Sequence, residues 1–197
     1  MSGGPSPRVV RPYIVGLGGA NRPGSTTETA LAKALEAAAS AGARTEIFGG
    51  AFLASLPVYN PYVACDDASC ARLLEAVRQA DGIIVASPGY HGSISGLVKN
   101  ALDSLEGLSG DARPYFDGRA VGCIVSASGA QAAGSTLAAL RSIIHALRGW
   151  PTPFGATLSA SGLFDAAGAF TDPKDAWAVE TVAGQVVDFA KAWARGR

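Results

Sequence analysis

Short apolar runs alternate with segments of helical periodicity along most of the chain. The runs predict five strands, at 13–17, 45–48, 82–86, 120–126 and 154–158. Apolar residues at helical spacing predict helices between and after them, over 26–41, 71–80, 97–108, 136–147 and 175–194. Strands that alternate with helices imply a parallel sheet covered on both faces. We therefore expect a doubly wound α/β fold.

The two ends of the pattern set the expected domain boundaries. Residues 1–12 are rich in Gly, Pro and Arg and lack the apolar stretch of a signal peptide, so they predict a disordered N-terminal tail. No repeat or linker interrupts the rest, which predicts one domain over 13–195. Residues 49–65, with several prolines and aromatics, predict a long connecting loop. No apolar run approaches the roughly 20 residues that span a bilayer.

The cysteines give a prediction about compartment and metal binding. Their number is odd, and Cys65, Cys70 and Cys123 suggest no paired framework, which indicates a reducing cytoplasm. The spacing of Cys65 and Cys70 is wrong for a zinc knuckle, and no histidine lies near them in the sequence. We expect a cytoplasmic protein without a metal site.

Charge is sparse and balanced. Only 16% of the residues are charged, against about 25% in an average soluble domain, and 16 basic residues cancel 16 acidic ones. This balance argues against nucleic-acid binding, which needs surplus Lys and Arg to neutralise phosphates. A chain of zero net charge also tends to associate, which favours a surface partly covered by another subunit.

The loop after the first predicted strand carries candidate chemistry for binding an anion. Ligands of such sheets bind beyond the carboxyl ends of the strands, where the strand order reverses. The loop lacks the third glycine of a dinucleotide fingerprint, where Asn21 stands, and the lysine of a P-loop, where Ser25 follows Gly24. An NTPase is therefore disfavoured. Ser25 and Glu28 have the spacing of a capping box, which fixes the start of the helix.

A helix that starts there presents free N–H groups and the positive end of its dipole. The hydroxyls of Ser25, Thr26 and Thr27 and the guanidinium of Arg22 add donors. The segment therefore predicts a site for a terminal monophosphate bound without magnesium. The alternative is a capped helix beside a solvated arginine.

The loop after the strand at 82–86 suits a flat ligand. Pro88 and Gly89 predict a turn, and Gly92 allows close approach of the backbone. Tyr90 and His91 offer ring surface and polar tips, although His91 could equally be a surface or capping histidine. Further along, Lys99 is expected to cap an interior carbonyl or to extend its amine to solvent, and Asp103 to be structural.

Three segments together resemble one family. The stretch from Tyr90 to Asp103, YHGSISGLVKNALD, resembles the signature of the NADPH-dependent FMN reductases, a flavodoxin-like group. The stretch from Gly19 to Ser25, GANRPGS, is similar to that family's G-S-x-R-x-G-S phosphate loop. Residues 126–134, with Leu140 and Arg141 further on, resemble its S-G-x-x-G-G…L-R segment. The resemblance covers about residues 13–160. It implies a three-layer sandwich with a five-stranded parallel sheet in the order 2-1-3-4-5 and helices on both faces.

Carried over position by position, the resemblance implies an FMN site without a catalytic side chain, because the cofactor carries the hydride chemistry. The implied contacts are Ala20, Arg22, Ser25, Thr26 and Thr27 at the phosphate, Pro88, Gly89, Tyr90, His91, Gly92 and Ser93 along the isoalloxazine ring, and Ser128 and Gly129 at its pyrimidine side. The sequence departs from the family where Ala20 replaces a serine, which predicts looser FMN binding. Gly89 and His91 replace a common Glu and Asn, and Ala133 replaces a glycine.

The implied activity is hydride transfer from NADPH or NADH to FMN. The first expectation is an NAD(P)H:FMN reductase that supplies reduced flavin to a partner flavin-dependent monooxygenase. The alternatives are a quinone, azo or metal-oxyanion reductase with tightly bound FMN, and a flavodoxin-like single-electron carrier, against which the neutral net charge argues. Family members associate, and the apolar helix faces at 97–108 and 136–147 exceed what one sheet face buries, so we expect a homodimer or homotetramer.

Overall fold

A parallel sheet runs through the centre of the computed structural model, which describes residues 11–22, 24–63 and 66–196. Its strands are β1 (Tyr13–Gly18), β2 (Arg44–Phe48), β3 (Gly82–Tyr90), β4 (Ser93–Ile94), β5 (Ala120–Ala127), β6 (Trp150–Pro151) and β7 (Ala156–Ser159). The helices are α1 (Thr26–Ser40), α2 (Gly50–Ser55), α3 (Ala68–Gln79), α4 (Gly96–Ser104), α5 (Ala130–Ala146) and α6 (Pro173–Arg195), with a 3-10 turn at Leu105–Leu108 after α4.

The sheet has the predicted strand order. Its order is β2-β1-β3-β5-β6, and β7 also pairs with β5, so β6 and β7 together occupy the fifth position. The prediction of five strands needs correction to seven, because the fifth is interrupted. Trp150 lies beside Ala120 and Ala156 beside Ile124, and Pro153, which has no N–H to give to a ladder, stands in the gap. The other additional strand, β4, is a two-residue antiparallel partner of β3.

Helices cover both faces of the sheet, as predicted. Alternate residues of the strands point to opposite sides. Ile14 and Ile84 pack with α1 and α6 on one side, while Val15 and Ile83 pack with α3, α4 and α5 on the other. Gly42 follows α1 with a φ of +91°, so it ends that helix in the left-handed region as expected.

The element boundaries differ from the predicted ones mainly next to loops. The connecting loop expected over 49–65 contains α2. Helix α5 begins six residues before the predicted position 136, directly after Gly129, which takes an extended conformation as N-cap. Helix α4 ends at Ser104, where the chain tightens into the 3-10 turn. Residues 1–10 of the predicted tail lie outside the described residues.

Two other expectations are wrong. The apolar positions at 97–108 and 136–147 do not form surplus faces, because they pack on the chain's own core. Val98, Leu102, Leu140 and Ile144 are buried in it, and Leu97, Leu137 and Leu147 are half-buried against it. The helix faces therefore give no support to an oligomer. Cys70 is disulfide-bonded, so the cysteine count gives no support to a reducing compartment. No helix within the described ranges is long and apolar enough to cross a membrane.

Candidate functional site

A cavity of about 490 Å³ opens at the carboxyl ends of β1, β3 and β5. The chain leaves β1 for β2 on one side and returns to β3 on the other, so the strand order reverses beside this cavity. Open α/β sheets bind their ligands at such a point. The cavity is lined by Ala20, Asn21, Arg22, Ser25, Thr26, Thr27, Pro88, Gly89, Tyr90, Ser95, Gly96, Leu97, Ser126, Ala127, Ser128 and Ala160.

The structure brings most of the predicted site residues together in this cavity. Nine of the thirteen line it: Ala20, Arg22, Ser25, Thr26, Thr27, Pro88, Gly89, Tyr90 and Ser128. His91, Gly92 and Ser93 do not, and Gly129 lines a neighbouring cavity of about 290 Å³ that shares Ser128. Sequence reasoning missed seven lining residues, of which Ser95 and Ser126 carry buried hydroxyls. Ser126 had a signal, since it is the first polar residue after the apolar run of β5.

The loop before α1 is tied to both α1 and α2. The Ser25 hydroxyl oxygen accepts the Glu28 N–H at 3.1 Å, which confirms the predicted N-cap. It also accepts the Ala20 N–H at 3.3 Å. The other half of the predicted capping box does not form, because Glu28 Oε2 accepts the Gly50 N–H at 2.7 Å instead. A Cβ at Gly50 would lie 2.0 Å from the Ala20 carbonyl oxygen, so α2 packs against the loop only with glycine there.

The three hydroxyls at the start of α1 have different hydrogen-bond partners. Ser25 accepts two N–H groups, so its own proton is uncommitted within the described part of the chain. Thr26 Oγ1 donates to the Ala160 carbonyl at 3.3 Å. Thr27 Oγ1 lies 2.6 Å from Ser126 Oγ, and both residues are buried. The first N–H groups of the helix add donors without intrahelical acceptors.

Arg22 gives this end of the cavity its positive charge. Its side chain is exposed, and no carboxylate among residues 11–22, 24–63 and 66–196 forms an ion pair with it. An unpaired guanidinium beside a helix N-terminus favours an anionic group, and a phosphate can accept two of its N–H groups at once. This end of the cavity is therefore suited to a phosphate.

The other end of the cavity is formed by a hairpin. Tyr90 pairs with Ser93, and between them His91 and Gly92 have φ of 52° and 83°, which are the positive values of a type I′ turn. The turn predicted at Pro88–Gly89 is therefore wrong in position. Those residues continue β3, with Pro88 beside Ser126 of β5.

Helix α5 packs closely against the hairpin. A Cβ at Gly89 would lie 2.8 Å from Thr136 Oγ1, so the absence of a side chain at position 89 lets the helix approach. Thr136 Oγ1 donates to the Ser93 carbonyl at 3.4 Å. Of the two alternatives for Lys99, the structure shows the second, since its amine extends to the exposed surface and forms an ion pair with Asp103 at 2.6 and 2.8 Å. The wall of the cavity at this end is thus backbone and ring surface held by α5.

The family model of the NADPH-dependent FMN reductases matches residues 12–162. This chain belongs to that family. The match confirms the family resemblance, and FMN is the cofactor in that family's name. The FMN-dependent NADPH-azoreductase of Staphylococcus aureus is 38% identical over 81 residues, which are 41% of this chain and 39% of the azoreductase. The match thus spans less than half the length of that relative.

Solved structures share the fold. FerB of Paracoccus denitrificans, a flavoenzyme NAD(P)H:(acceptor) oxidoreductase, has a TM-score of 0.75 and 21% identity, over 92% of this chain and 98% of FerB. The apo form of the NADH:FMN oxidoreductase EMOB has a TM-score of 0.67 and 20% identity, over 92% and 89% of the two chains. A WrbA-like flavodoxin from Agrobacterium tumefaciens has a TM-score of 0.61 and 15% identity, over 92% and 98%. These similarities confirm the flavodoxin-like architecture.

The cavity residues fit FMN. The family cofactor has a phosphate at one end and a flat ring at the other, joined by a hydroxylated chain. Ser25 and Arg22 lie at the polar end with uncommitted donors. The backbone of Pro88 and Gly89 and the half-exposed ring of Tyr90 lie at the other end, where they offer a surface for the flat ring.

Proposed function

We propose that this chain is an FMN-dependent NAD(P)H oxidoreductase and that the cavity at the ends of β1, β3 and β5 holds FMN. The observation that carries the proposal is the uncommitted Ser25 proton beside the unpaired Arg22 at the N-terminus of α1. When bound, FMN accepts hydride from NADPH or NADH and passes the electrons to a second substrate. The predicted contact residues, including His91, Gly92, Ser93 and Gly129 around the cavity, belong to this proposal.

In this proposal the protein binds and orients and does not transfer protons. Arg22 and Tyr90 are the titratable side chains among the residues that line the cavity, and no carboxylate, histidine or lysine is part of that lining. Arg22 and Ser25 would hold the phosphate, and the Pro88–Tyr90 backbone would lie along the ring. Hydride transfer between two rings needs stacking and alignment more than an acid or base, which agrees with this lining.

We further propose that FMN exchanges and that the chain delivers reduced flavin to a flavin-dependent monooxygenase. The phosphate end supports this in two ways. Ala20 has no hydroxyl where the family resemblance has a serine, and Thr26 and Thr27 already hydrogen-bond to the protein. Arg22, the one cationic side chain of the cavity lining, is exposed, and an exposed charge pair is weakened by solvent and salt.

A second candidate is reduction of azo compounds with FMN retained. The observation in its favour is the 38% identity to the Staphylococcus aureus azoreductase, although that match covers 39% of the relative. The ring of Tyr90 in the cavity lining is also half-exposed, which is compatible with stacking of a second flat molecule. A single-electron carrier is disfavoured by the zero net charge of the chain.

One experiment separates these candidates. The protein is loaded with FMN and passed through a desalting column, and anaerobic NADPH and NADH oxidation is followed with and without added FMN or an azo dye. Oxidation that requires and rises with free FMN supports delivery of reduced flavin. Oxidation that requires only retained FMN and the dye supports the azoreductase. The absence of NAD(P)H oxidation under every flavin condition would refute the oxidoreductase.

We also propose that residues 13–195 form a single domain and that the chain is a homodimer or homotetramer. Exposed tryptophans support the second proposal, since Trp150 and Trp177 are 57% and 58% exposed and large exposed aromatics are enriched at subunit interfaces. Light scattering after size exclusion measures the mass directly. A monomer at micromolar concentration would contradict it.

A further inference from the structure

A pair of buried hydroxyls forms part of the cavity wall, and one of its members, Thr27, is among the residues expected at the phosphate. Thr27 lies in the first turn of α1, and Ser126 is the penultimate residue of β5. Their side-chain oxygens are 2.6 Å apart. The residues are 2% and 3% exposed, and both line the cavity.

The pair has two hydroxyl protons, and only one of them is hydrogen-bonded within the pair. Two hydroxyls carry two protons, and one proton occupies the bond between the oxygens. No other hydrogen bond reaches Thr27 Oγ1 or Ser126 Oγ from the part of the chain that the structure describes. A buried O–H group without an acceptor is unfavourable. The second proton is therefore available to an acceptor on a molecule that occupies the cavity.

The pair lies between the two ends of the cavity. Thr27 follows Ser25 by two residues in α1, so it is close to the phosphate end. Ser126 is directly beside Pro88 in the sheet, so it is close to the ring end. The part of FMN between its phosphate and its ring is the ribityl chain, whose three hydroxyls each accept and donate hydrogen bonds.

We propose that the Thr27–Ser126 pair binds a ribityl hydroxyl and makes the site selective for flavins with a hydroxylated chain. The inference rests on the proposed FMN site. The phosphate already has the Ser25 proton, Arg22 and the helix N–H groups, so it does not need this donor. The flat ring is edged by the backbone of Pro88 and Gly89.

The test compares three ligands by quenching of flavin fluorescence without any nicotinamide nucleotide. They are FMN, riboflavin, and a flavin in which a plain 5-phosphopentyl chain replaces the phosphorylated ribityl chain. In Ser126→Ala the ratio of the Kd of the phosphopentyl flavin to that of FMN is expected to fall about 2- to 12-fold from wild type, the range of one neutral hydrogen bond. The Kd of riboflavin should rise by the same factor as that of FMN.

Other outcomes would overturn the inference. An unchanged ratio shows that the pair does not contact the chain hydroxyls. Equal weakening of FMN and the phosphopentyl flavin, with riboflavin unaffected, assigns the pair to the phosphate. If wild type binds none of the three flavins, the proposed FMN site fails as well, and that result differs from a failure of the ribityl contact alone.

Two variants keep the test clear of folding effects. Ser104→Ala removes a buried hydroxyl outside the flavin cavity, where Ser104 Oγ donates to the Asn100 carbonyl, and should leave the ratio unchanged. Thr27→Val removes the other member of the pair with little change in shape, and should lower the ratio as Ser126→Ala does. If Ser126→Ala does not fold, Thr27→Val decides, and a wild-type ratio in it refutes the proposal.

Discussion

Replacing Ser25 with Ala should lower both the free energy of unfolding and the affinity for FMN, and the two effects can be measured separately. The hydroxyl oxygen accepts the N–H groups of Glu28 and Ala20 at 3.1 and 3.3 Å. Loss of a Ser N-cap costs about 0.5–2 kcal/mol. Because Ser25 is buried and two N–H groups lose their acceptor, we expect the upper half of that range, about 1–2 kcal/mol of unfolding free energy.

The same substitution removes the one side-chain proton that α1 keeps free for a phosphate. A hydrogen bond to a charged acceptor contributes about 1.5–3 kcal/mol. We therefore expect the Kd of FMN to rise about 10- to 150-fold in Ser25→Ala. Riboflavin has no phosphate, so its Kd should change less than about 2-fold.

Fluorescence quenching gives the two dissociation constants, and urea unfolding of the flavin-free protein gives the stability. Asp172→Ala is the matched control, because Asp172 caps α6 by accepting the Lys174 N–H at 2.8 Å and is not part of the cavity lining. Asp172 is exposed and accepts one N–H group, so Asp172→Ala should lose about 0.5–1 kcal/mol of unfolding free energy without any change in FMN affinity. The reasoning is refuted if Ser25→Ala weakens FMN and riboflavin equally, or if its stability falls while FMN affinity stays the same.

Three further predictions concern charge, packing and pH. Arg22→Ala should raise the Kd of FMN about 3- to 30-fold and reduce its dependence on salt, with riboflavin unaffected, as titrations at two salt concentrations would show. Gly50→Ala places a methyl group 2.0 Å from the Ala20 carbonyl oxygen in the loop before α1, and it should lower the free energy of unfolding in urea by about 1–3 kcal/mol. The control is Gly184→Ala in the interior of α6, where a methyl group meets nothing within 4 Å. This variant should raise the free energy of unfolding by up to about 1 kcal/mol. Burial, aided by the hydrogen bond to Glu46, raises the pKa of Tyr13 from 10.0 to about 12. The folded state thus favours the protonated phenol. This contribution to stability is complete below pH 10 and is lost as the pH rises to about 12. The difference in unfolding free energy between wild type and Tyr13→Phe should therefore narrow over that pH range.

The order of strands and helices could be predicted because each long helix has apolar residues at helical spacing and each central strand is a short apolar run. The interruption of the fifth strand could not, since the apolar run at 154–158 gave no sign that Trp150 and Pro151 pair with β5 as well. Helix α2 has only six residues, too few for a periodic pattern to separate it from a loop. The extra turns of α5 were hidden because Gly134 and the small residues around it favour a loop as much as a helix.

The features of the site that depend on a few consecutive residues could be predicted from the sequence. The Ser25 cap and the helix N-terminus follow from a few consecutive residues. Contacts across the sheet could not be predicted, since they depend on which strands are neighbours. Ser126 meets Thr27 only because β5 lies beside β3 and α1 packs over both. The turn at His91–Gly92 was misplaced because Pro88–Gly89 has the stronger turn composition, while the pairing of Pro88 with Ser126 keeps it in the strand.

Ser25, Thr26 and Thr27 look equivalent in the sequence, yet helix geometry gives them separate roles. Successive residues at the start of a helix point about 100° apart, so the three hydroxyls face three neighbours. Ser25 caps the helix, Thr26 reaches the Ala160 carbonyl, and Thr27 reaches Ser126. A phosphate at this end therefore finds one free hydroxyl and not three. Ala20 offers no further hydroxyl at that end. In the proposed FMN site, the run of three hydroxyl residues would therefore serve two parts of the ligand, with Ser25 at the phosphate and Thr27, through its pairing with Ser126, at the hydroxylated chain.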